Sequence, residues 1–211
     1  MGRLENKIAV ITGGMVPISL AIAKAFAGEG AKVILLDGQQ SREAEDFVAV
    51  KCDIGDFEDV TRCFAALQEQ YGPVDILVNN PEMKCEKTLL ETTPEEWNAV
   101  LAHNTHSLFY CCKQILPQLK ERRTGKIINV SSYKVYGAAG DGAYAVTKAA
   151  MLGVHGSIAR ETERYTTTTH TLVPAADATP EEVAQSALFM ASEESRFAHG
   201  QIVNVTHSFV E

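Results

Sequence analysis

Residues 11–21 read Ile11-Thr12-Gly13-Gly14-Met15-Val16-Pro17-Ile18-Ser19-Leu20-Ala21 and join an apolar run to a stretch of helical periodicity. A strand that turns into a helix in this way offers backbone amides and the positive end of a helix dipole to a phosphate group. The next apolar run ends at Asp37, whose carboxylate can accept hydrogen bonds from a ribose diol. The pattern predicts a βαβ unit that binds phosphate and ribose groups.

The remainder of the chain repeats this alternation, which is typical of a parallel sheet covered by helices on both faces. Strands are predicted at 7–12, 31–37, 48–53, 74–80, 125–131, 169–173 and 200–205, and helices at 18–29, 56–71, 94–121, 142–163 and 180–192. We therefore predict an α/β fold of the Rossmann type, doubly wound, with a seven-stranded and mostly parallel sheet. The predicted strand order is 3-2-1-4-5-6-7, and residues 1–211 form a single domain.

Composition narrows the classes of function. The chain has 211 residues, 45% of them hydrophobic, and a formal net charge of -8, which disfavours nucleic acid as a partner because phosphate backbones require clustered cations. No apolar run approaches the length of a membrane span, and the first residues lack the pattern of a signal peptide, so we expect a cytoplasmic protein without a membrane partner. The five cysteines lack the spacing of paired metal ligands and are expected to be reduced.

A candidate catalytic group follows the predicted fifth strand. Tyr144 and Lys148 are four residues apart in a predicted helix and therefore lie on the same face. A lysine charge next to a phenol favours the phenolate, and a nearby serine hydroxyl can hold the reacting oxygen, so the group can move a proton to or from an alcohol oxygen. Both Ser131 and Ser132 end the strand and are candidates for that serine.

These pieces occur in the order found in the short-chain dehydrogenase/reductase family, which the chain resembles over nearly all of its length. The matching residues are Thr12-Gly13, Asp37, Asp53-Ile54, Asn79-Asn80, Asn104, Ser132, Tyr144, Lys148, Pro174 and Thr179. The resemblance implies a catalytic set of Asn104, Ser132, Tyr144 and Lys148. It implies a cofactor-binding set of Thr12, Gly13, Ile18, Asp37, Asp53, Ile54, Asn80, Tyr144, Lys148, Pro174 and Thr179.

The resemblance also implies a role for each catalytic residue. Tyr144 would be the general acid/base, and Lys148 would lower the pKa of Tyr144 and bind the nicotinamide ribose. Ser132 would orient the substrate oxygen, with Ser131 as the rival, and Asn104 would hold a water molecule in a proton relay. Thr179 would meet the nicotinamide carboxamide. Family spacing to the tyrosine favours Ser131, whereas the Asn-Val-Ser-Ser motif favours Ser132.

The expected activity is the NAD(H)-dependent interconversion of a small secondary alcohol and a ketone. Asp37 makes NADP the less favoured cofactor, because a carboxylate there repels a 2′-phosphate. The resemblance further implies a homodimer or homotetramer, formed through the helices predicted at 94–121 and 142–163. No metal site is expected, because His103 and His106 have no carboxylate or thiol at matching spacing.

Four departures from the family pattern bear on activity. The glycine loop has Pro17 and Ser19 in place of glycines, the segment after the fourth strand reads Pro81-Glu82 instead of Ala-Gly, and Ala175 follows Pro174 where relatives have glycine. Only a few residues precede the last helix where relatives carry a helical lid, so the pocket is expected to be open. Glu82 is expected to oppose an anionic pyrophosphate if it lies near the cofactor.

These departures leave two alternative functions. The chain could be a catalytically impaired protein or binding module that retains the fold. It could also be a lyase, cyclase or isomerase that uses the same tyrosine without oxidising or reducing NAD.

Overall fold

The computed structural model describes residues 2–38, 42–43 and 46–207; the side chains of Asp37, Arg42 and Glu43 lie outside the described part. The strands are β1 (Ile8–Ile11), β2 (Lys32–Asp37), β3 (Arg42–Glu43), β4 (Val48–Lys51), β5 (Ile76–Asn79), β6 (Thr124–Val130), β7 (Thr166–Pro174) and β8 (Gln201–Val205). They form one sheet in the order β3-β4-β2-β1-β5-β6-β7-β8. Apart from β3, neighbouring strands pair in parallel. The predicted doubly wound sheet and its strand order are thus confirmed.

The two-residue strand β3 was not predicted. It pairs antiparallel with β4 and forms one edge of the sheet. It occupies the short link between β2 and β4, where a crossover helix of ordinary length has no room.

The helices are α1 (Pro17–Gly28), α2 (Phe57–Tyr71), α3 (Pro94–Leu101), α4 (Ser107–Arg122), α5 (Gly142–Thr162) and α6 (Pro180–Ala191). The single helix predicted at 94–121 is wrong in one respect, since a π-helical turn at Ala102–His106 divides it into α3 and α4. Such a turn inserts an extra residue into the helical ladder and often marks a functional site. Here it directs Asn104 into the interior, where its side chain is buried.

The sheet separates two apolar layers. Alternate residues of a strand face opposite sides, so Val33 and Leu35 contact the layer that contains α1 and α6, whereas Ile34 and Leu36 contact the layer that contains α2 and α4. Among the described residues, no helix combines the length and apolar character needed to cross a membrane.

Parallel strands bring their carboxyl ends to one edge of the sheet. Thr12 follows β1, Asn80 follows β5, Ser131 follows β6 and Ala175 follows β7, so all four lie along this edge. Only residues 175–179 connect β7 to α6. This short connection has no helix, as the sequence predicts.

Candidate active site

Tyr144 and Lys148 lie in the first two turns of α5, one turn apart. The Lys148 Nζ atom is 5.3 Å from the centroid of the Tyr144 ring. Its side chain has no exposed surface, and Nζ donates hydrogen bonds to the carbonyl oxygens of Pro81 at 2.8 Å and Val130 at 3.2 Å. The ends of β5 and β6 therefore hold the ammonium beside the phenol.

Glu82 joins this pair. The Tyr144 hydroxyl lies 3.1 Å from Glu82 Oε1 and 2.9 Å from Oε2, and it donates its proton to this carboxylate. Glu82 Oε2 is also 3.2 Å from Lys148 Nζ, which makes an ion pair. The three side chains form a compact acidic, phenolic and cationic group at the carboxyl edge of the sheet.

The protonation of Tyr144 follows from these contacts. Burial raises the pKa of the Tyr144 phenol, and the negative charge and hydrogen bond of Glu82 raise that pKa further. The expectation that Lys148 holds the pKa of Tyr144 low is therefore not met in this structure, because burial and, after it, Glu82 raise that pKa. Burial lowers the pKa of Lys148, while Glu82 acts in the opposite direction.

The two candidate serines have different surroundings. Ser131 is buried, and its hydroxyl donates to the Lys148 carbonyl oxygen at 2.9 Å. Ser132 is less buried; its hydroxyl accepts a hydrogen bond from the Lys134 amide at 3.3 Å and lies close enough to Tyr144 to lower the pKa of the phenol. The geometry therefore brings Ser132 to the phenol and gives Ser131 a structural contact.

Asn104 is fully engaged by protein groups. Its Oδ1 accepts a hydrogen bond from the Met83 amide at 2.9 Å, and its Nδ2 donates to the Met83 carbonyl at 2.8 Å and to Thr147 Oγ1 at 3.1 Å. The side chain that the resemblance assigns to a water relay is here the clamp that holds the segment after β5.

The glycine loop is tied to the same segment. The Asn80 amide donates to Thr12 Oγ1 at 3.1 Å, and Asn80 Nδ2 donates to Ser19 Oγ at 2.9 Å. Gly13 has φ +95°, and a Cβ atom there would lie 1.8 Å from the Asn80 carbonyl oxygen, so only glycine fits. Pro17 occupies the first position of α1, where its missing amide removes no helical hydrogen bond.

A cavity of about 540 Å³ opens beside this loop. Its lining includes Gly13, Gly14, Asp53 and Ile54, as expected for the adenosine end of a dinucleotide, and also His103. Burial lowers the pKa of the His103 imidazole, so this wall of the cavity is neutral. The predicted ribose ligand Asp37 ends β2 at this cavity, but its side chain lies outside the described residues.

A second cleft, of about 230 Å³, opens at Tyr144. Its lining includes Tyr144, Glu82 and Ser132, together with the predicted cofactor residues Ile18, Asn80 and Pro174. Thr179 is not among the lining residues; it caps α6, and its Oγ1 accepts a hydrogen bond from the Glu182 amide at 3.2 Å.

Glu82 differs from its sequence-based expectation. Its carboxylate faces Tyr144 and Lys148, and Glu82 does not line the cavity at Gly13. The anionic side chain thus acts on Tyr144 and Lys148 rather than on the glycine loop.

The residues present fit a nicotinamide dinucleotide. The cavity at Gly13 has room for a nucleoside, the space around Gly38 on its wall is open, and Ile18 and Asn80 line the separate cleft at Tyr144. Gly13, Asp53 and Ile54 would hold one half of such a cofactor, and Ile18, Asn80 and Pro174 would hold the other.

One group of potential metal ligands was missed in the sequence. The ligand atoms of Cys52, Asp59 and Cys63 lie within 4.8 Å of one another. Burial raises the pKa of both thiols, and Arg62 pairs with Asp59 at 2.5 Å. Protonated thiols are poor metal ligands, and both cysteines pack in the apolar core that contains α2.

Comparison with known proteins agrees with this geometry. The family model described as short chain dehydrogenase matches residues 7–187. The chain belongs to the short-chain dehydrogenase family. A crystal structure of a short-chain dehydrogenase/reductase from Burkholderia xenovorans superposes with a TM-score of 0.87 at 28% identity, covering 98% of this chain and 97% of that one.

Two curated relatives of this short-chain dehydrogenase are informative. Nodulation protein G of Azospirillum brasilense is 33% identical over 183 residues, which cover 81% of this chain and 74% of the relative. The 3-oxoacyl-(acyl-carrier-protein) reductase FabG of Thermotoga maritima is 28% identical over 246 aligned positions, which cover 99% of each chain. That alignment is longer than the present chain, so the reductase has segments that this chain lacks. The oxidoreductase class predicted from the sequence is confirmed at the level of the family, and neither alternative function gains support.

Sequence reasoning missed two contacts of this short-chain dehydrogenase. The direction of the Glu82 side chain was unknown, although the unusual Pro81-Glu82 pair had drawn attention to it. The hydroxyl of Ser19, at a usual glycine position, ties the loop to Asn80. In both cases the signal was a departure from the family pattern.

Proposed function

We propose that this short-chain dehydrogenase interconverts a secondary alcohol and a ketone with NAD(H) as the redox partner. The observation that carries the proposal is that Tyr144 and Ser132 line one cleft beside the predicted nicotinamide residues, with the buried Lys148 ammonium 5.3 Å from the centre of the Tyr144 ring. Several relatives have names that denote carbonyl reduction, among them an acetoacetyl-CoA reductase of Cupriavidus necator.

The proton step is assigned to Tyr144. When bound, the nicotinamide supplies or accepts the hydride at the substrate carbon. In reduction the Tyr144 hydroxyl donates its proton to the carbonyl oxygen, and in oxidation the phenolate takes the proton of the alcohol. The raised pKa of Tyr144 keeps the phenol protonated, which suits the reducing direction.

Two other side chains support this step. The Ser132 hydroxyl reaches the Tyr144 phenol and can donate a second hydrogen bond to the substrate oxygen. Lys148 places a positive charge beside the ring, which stabilises the negative charge that develops on the phenol oxygen after proton transfer. The short connection 175–179 leaves the cleft open, so the substrate can be larger than the cleft itself.

NAD is preferred to NADP in this proposal because Asp37 ends β2 at the adenosine cavity. Calorimetric titration with NADH and NADPH tests this directly. We expect tighter binding of NADH and a smaller difference between the two in Asp37→Ser. Equal binding of both cofactors by the unchanged protein would remove the basis of the preference.

We also propose a homodimer or homotetramer through α4 and α5. A largely apolar hollow of about 830 Å³ lies between these helices, and Phe109 on its wall is 55% exposed. Exposed apolar surface of this kind is typical of contact sites between proteins. Sedimentation equilibrium of the intact chain at micromolar concentration tests the assembly, and a monomer mass would contradict it.

A further inference from the structure

We propose that Glu82 is an internal competitor for the substrate oxygen: its carboxylate occupies the hydrogen-bonding position at Tyr144 and must turn away before a ketone binds. The inference rests on the proposed function, since it concerns the same cleft. According to this inference, Glu82, which stands where relatives have a glycine, directly affects substrate binding.

The contact at Tyr144 carries the inference. A phenol has one proton to donate, and the Tyr144 proton is directed to the two oxygens of Glu82, at 3.1 and 2.9 Å. A ketone oxygen needs the same proton in order to be activated. The ion pair with Lys148 strengthens the hold on the carboxylate, because a hydrogen bond between charged groups is stronger than a neutral one.

The backbone around Glu82 is fastened on both sides. On the amino-terminal side, the Pro81 carbonyl accepts a hydrogen bond from Lys148 Nζ at 2.8 Å. On the carboxyl-terminal side, the Met83 amide and carbonyl are both bonded to the Asn104 side chain, at 2.9 and 2.8 Å. The carboxylate therefore leaves by rotation of the Glu82 side chain, without displacement of the segment.

Lys84 gives the Glu82 carboxylate a place to go when its side chain rotates. The Glu82 side chain is 26% exposed, and its Oε1 is already 3.9 Å from the ammonium of Lys84, whose side chain is 51% exposed. Both residues line the cleft. Glu82 can move toward Lys84 and water while keeping a cationic neighbour, so the carboxylate is not left unpaired when the substrate oxygen replaces it.

Glu82→Ala vacates the position, and acetate is the smallest probe that restores a carboxylate there. In saturation-transfer NMR we expect acetate to bind Glu82→Ala and not the unchanged protein. The signal should be lost when Tyr144→Phe is added to Glu82→Ala. Glu86→Ala, which removes an exposed carboxylate outside the cleft, is the matched control and should behave like the unchanged protein. The proposal would be overturned if acetate bound equally to the unchanged protein and Glu82→Ala. It would also be overturned if acetate bound to neither protein.

Steady-state kinetics provide a second test of the proposal. With NADH and a panel of ketones we expect kcat/KM of Glu82→Ala to exceed that of the unchanged protein by about tenfold or more, the equivalent of one charge-assisted hydrogen bond. Acetate should inhibit Glu82→Ala competitively against the ketone. An active Glu82→Ala enzyme with unchanged kcat/KM would also overturn the proposal. Acetate binding as expected, without turnover in any variant, would support the competitor role and defeat the proposed function instead.

Discussion

The side-chain amide of Asn104 bonds both backbone polar groups of Met83, accepting from its N–H at 2.9 Å and donating to its C=O at 2.8 Å. The residue that makes this clamp sits in the π-helical turn between α3 and α4. The turn thus presents the side chain that holds Met83, the residue after Glu82, in place.

Asn104→Ala should release the segment after β5. Two part-buried backbone groups lose their partner, and an unsatisfied polar group costs up to about 1–3 kcal/mol when water cannot replace the partner. We expect a lower free energy of unfolding in urea and faster hydrogen exchange at the Met83 amide. Asn98→Ala, at an exposed position of α3, is the control. Unchanged exchange at Met83 would show that the clamp is not needed.

Glu82→Gln should lower the pKa of Tyr144, because the variant loses the charge that opposes phenolate formation. Burial, the larger cause of the raised pKa, remains, so the pKa should stay above the ordinary value for tyrosine. At the highest pH at which both proteins are folded, a larger fraction of Tyr144 should be ionised in the variant. NMR of tyrosine labelled with ¹³C at Cζ measures this fraction, with the exposed Tyr136 as internal reference. An equal fraction in both proteins would contradict the electrostatic effect of Glu82.

Ser132→Ala and Ser131→Ala should separate the two serines. Removal of a hydrogen bond to the reacting oxygen lowers kcat by about 10²–10³-fold, which we expect for Ser132→Ala with little loss of stability. Ser131→Ala should instead reduce thermal stability, because the buried Lys148 carbonyl loses the hydroxyl that bonds it. Steady-state kinetics and thermal unfolding of both variants provide the measurement. If Ser131→Ala lowered kcat and Ser132→Ala lowered thermal stability instead, Ser131 would be the residue that contacts the substrate.

His170 should make the fold sensitive to acid. Burial lowers the pKa of this fully buried ring from 6.5 to about 3 in the folded protein. Since the unfolded chain binds a proton that the folded chain does not, stability is complete above pH 6.5 and falls as the pH decreases toward 3. The slope is about 1.4 kcal/mol per pH unit for one such group.

Urea unfolding at several pH values measures this slope. His170→Leu removes the ring that must stay neutral and should reduce the slope by the contribution of one histidine. His106→Gln, at an exposed position of the π-helical turn, should leave it unchanged. The same slope in His170→Leu and in the unchanged protein would show that other groups cause the acid sensitivity.

Much of the fold could be predicted because its signals are local. Apolar runs rich in valine and isoleucine predicted the seven parallel strands, and threonine followed by proline predicted the starts of α3 and α6. The division of the helix at 102–106 could not be predicted, since it accompanies the contact of Asn104 with Met83, 21 residues away. Local propensity contains no information about such a partner.

The candidate site divides in the same way. The common face of Tyr144 and Lys148 follows from helical geometry and could be read from their spacing. The contact of Glu82 with Tyr144 joins residues 62 positions apart and depends on how the end of β5 approaches α5. Sequence alone therefore indicated the proton donor but not the carboxylate that accepts its hydrogen bond. The catalytic and cofactor roles assigned from the sequence stay predictions until activity is measured.

The central claim is that Tyr144 supplies the proton in a nicotinamide-dependent reduction. The most direct test is the loss of NADH absorbance in the presence of a panel of ketones, measured for the unchanged protein, Glu82→Ala and each of these with Tyr144→Phe. We expect ketone-dependent oxidation of NADH, faster in Glu82→Ala, and a decrease of about 10²–10⁴-fold whenever Tyr144→Phe is present. Ketone-dependent oxidation that proceeds at the same rate with Tyr144→Phe would contradict the claim.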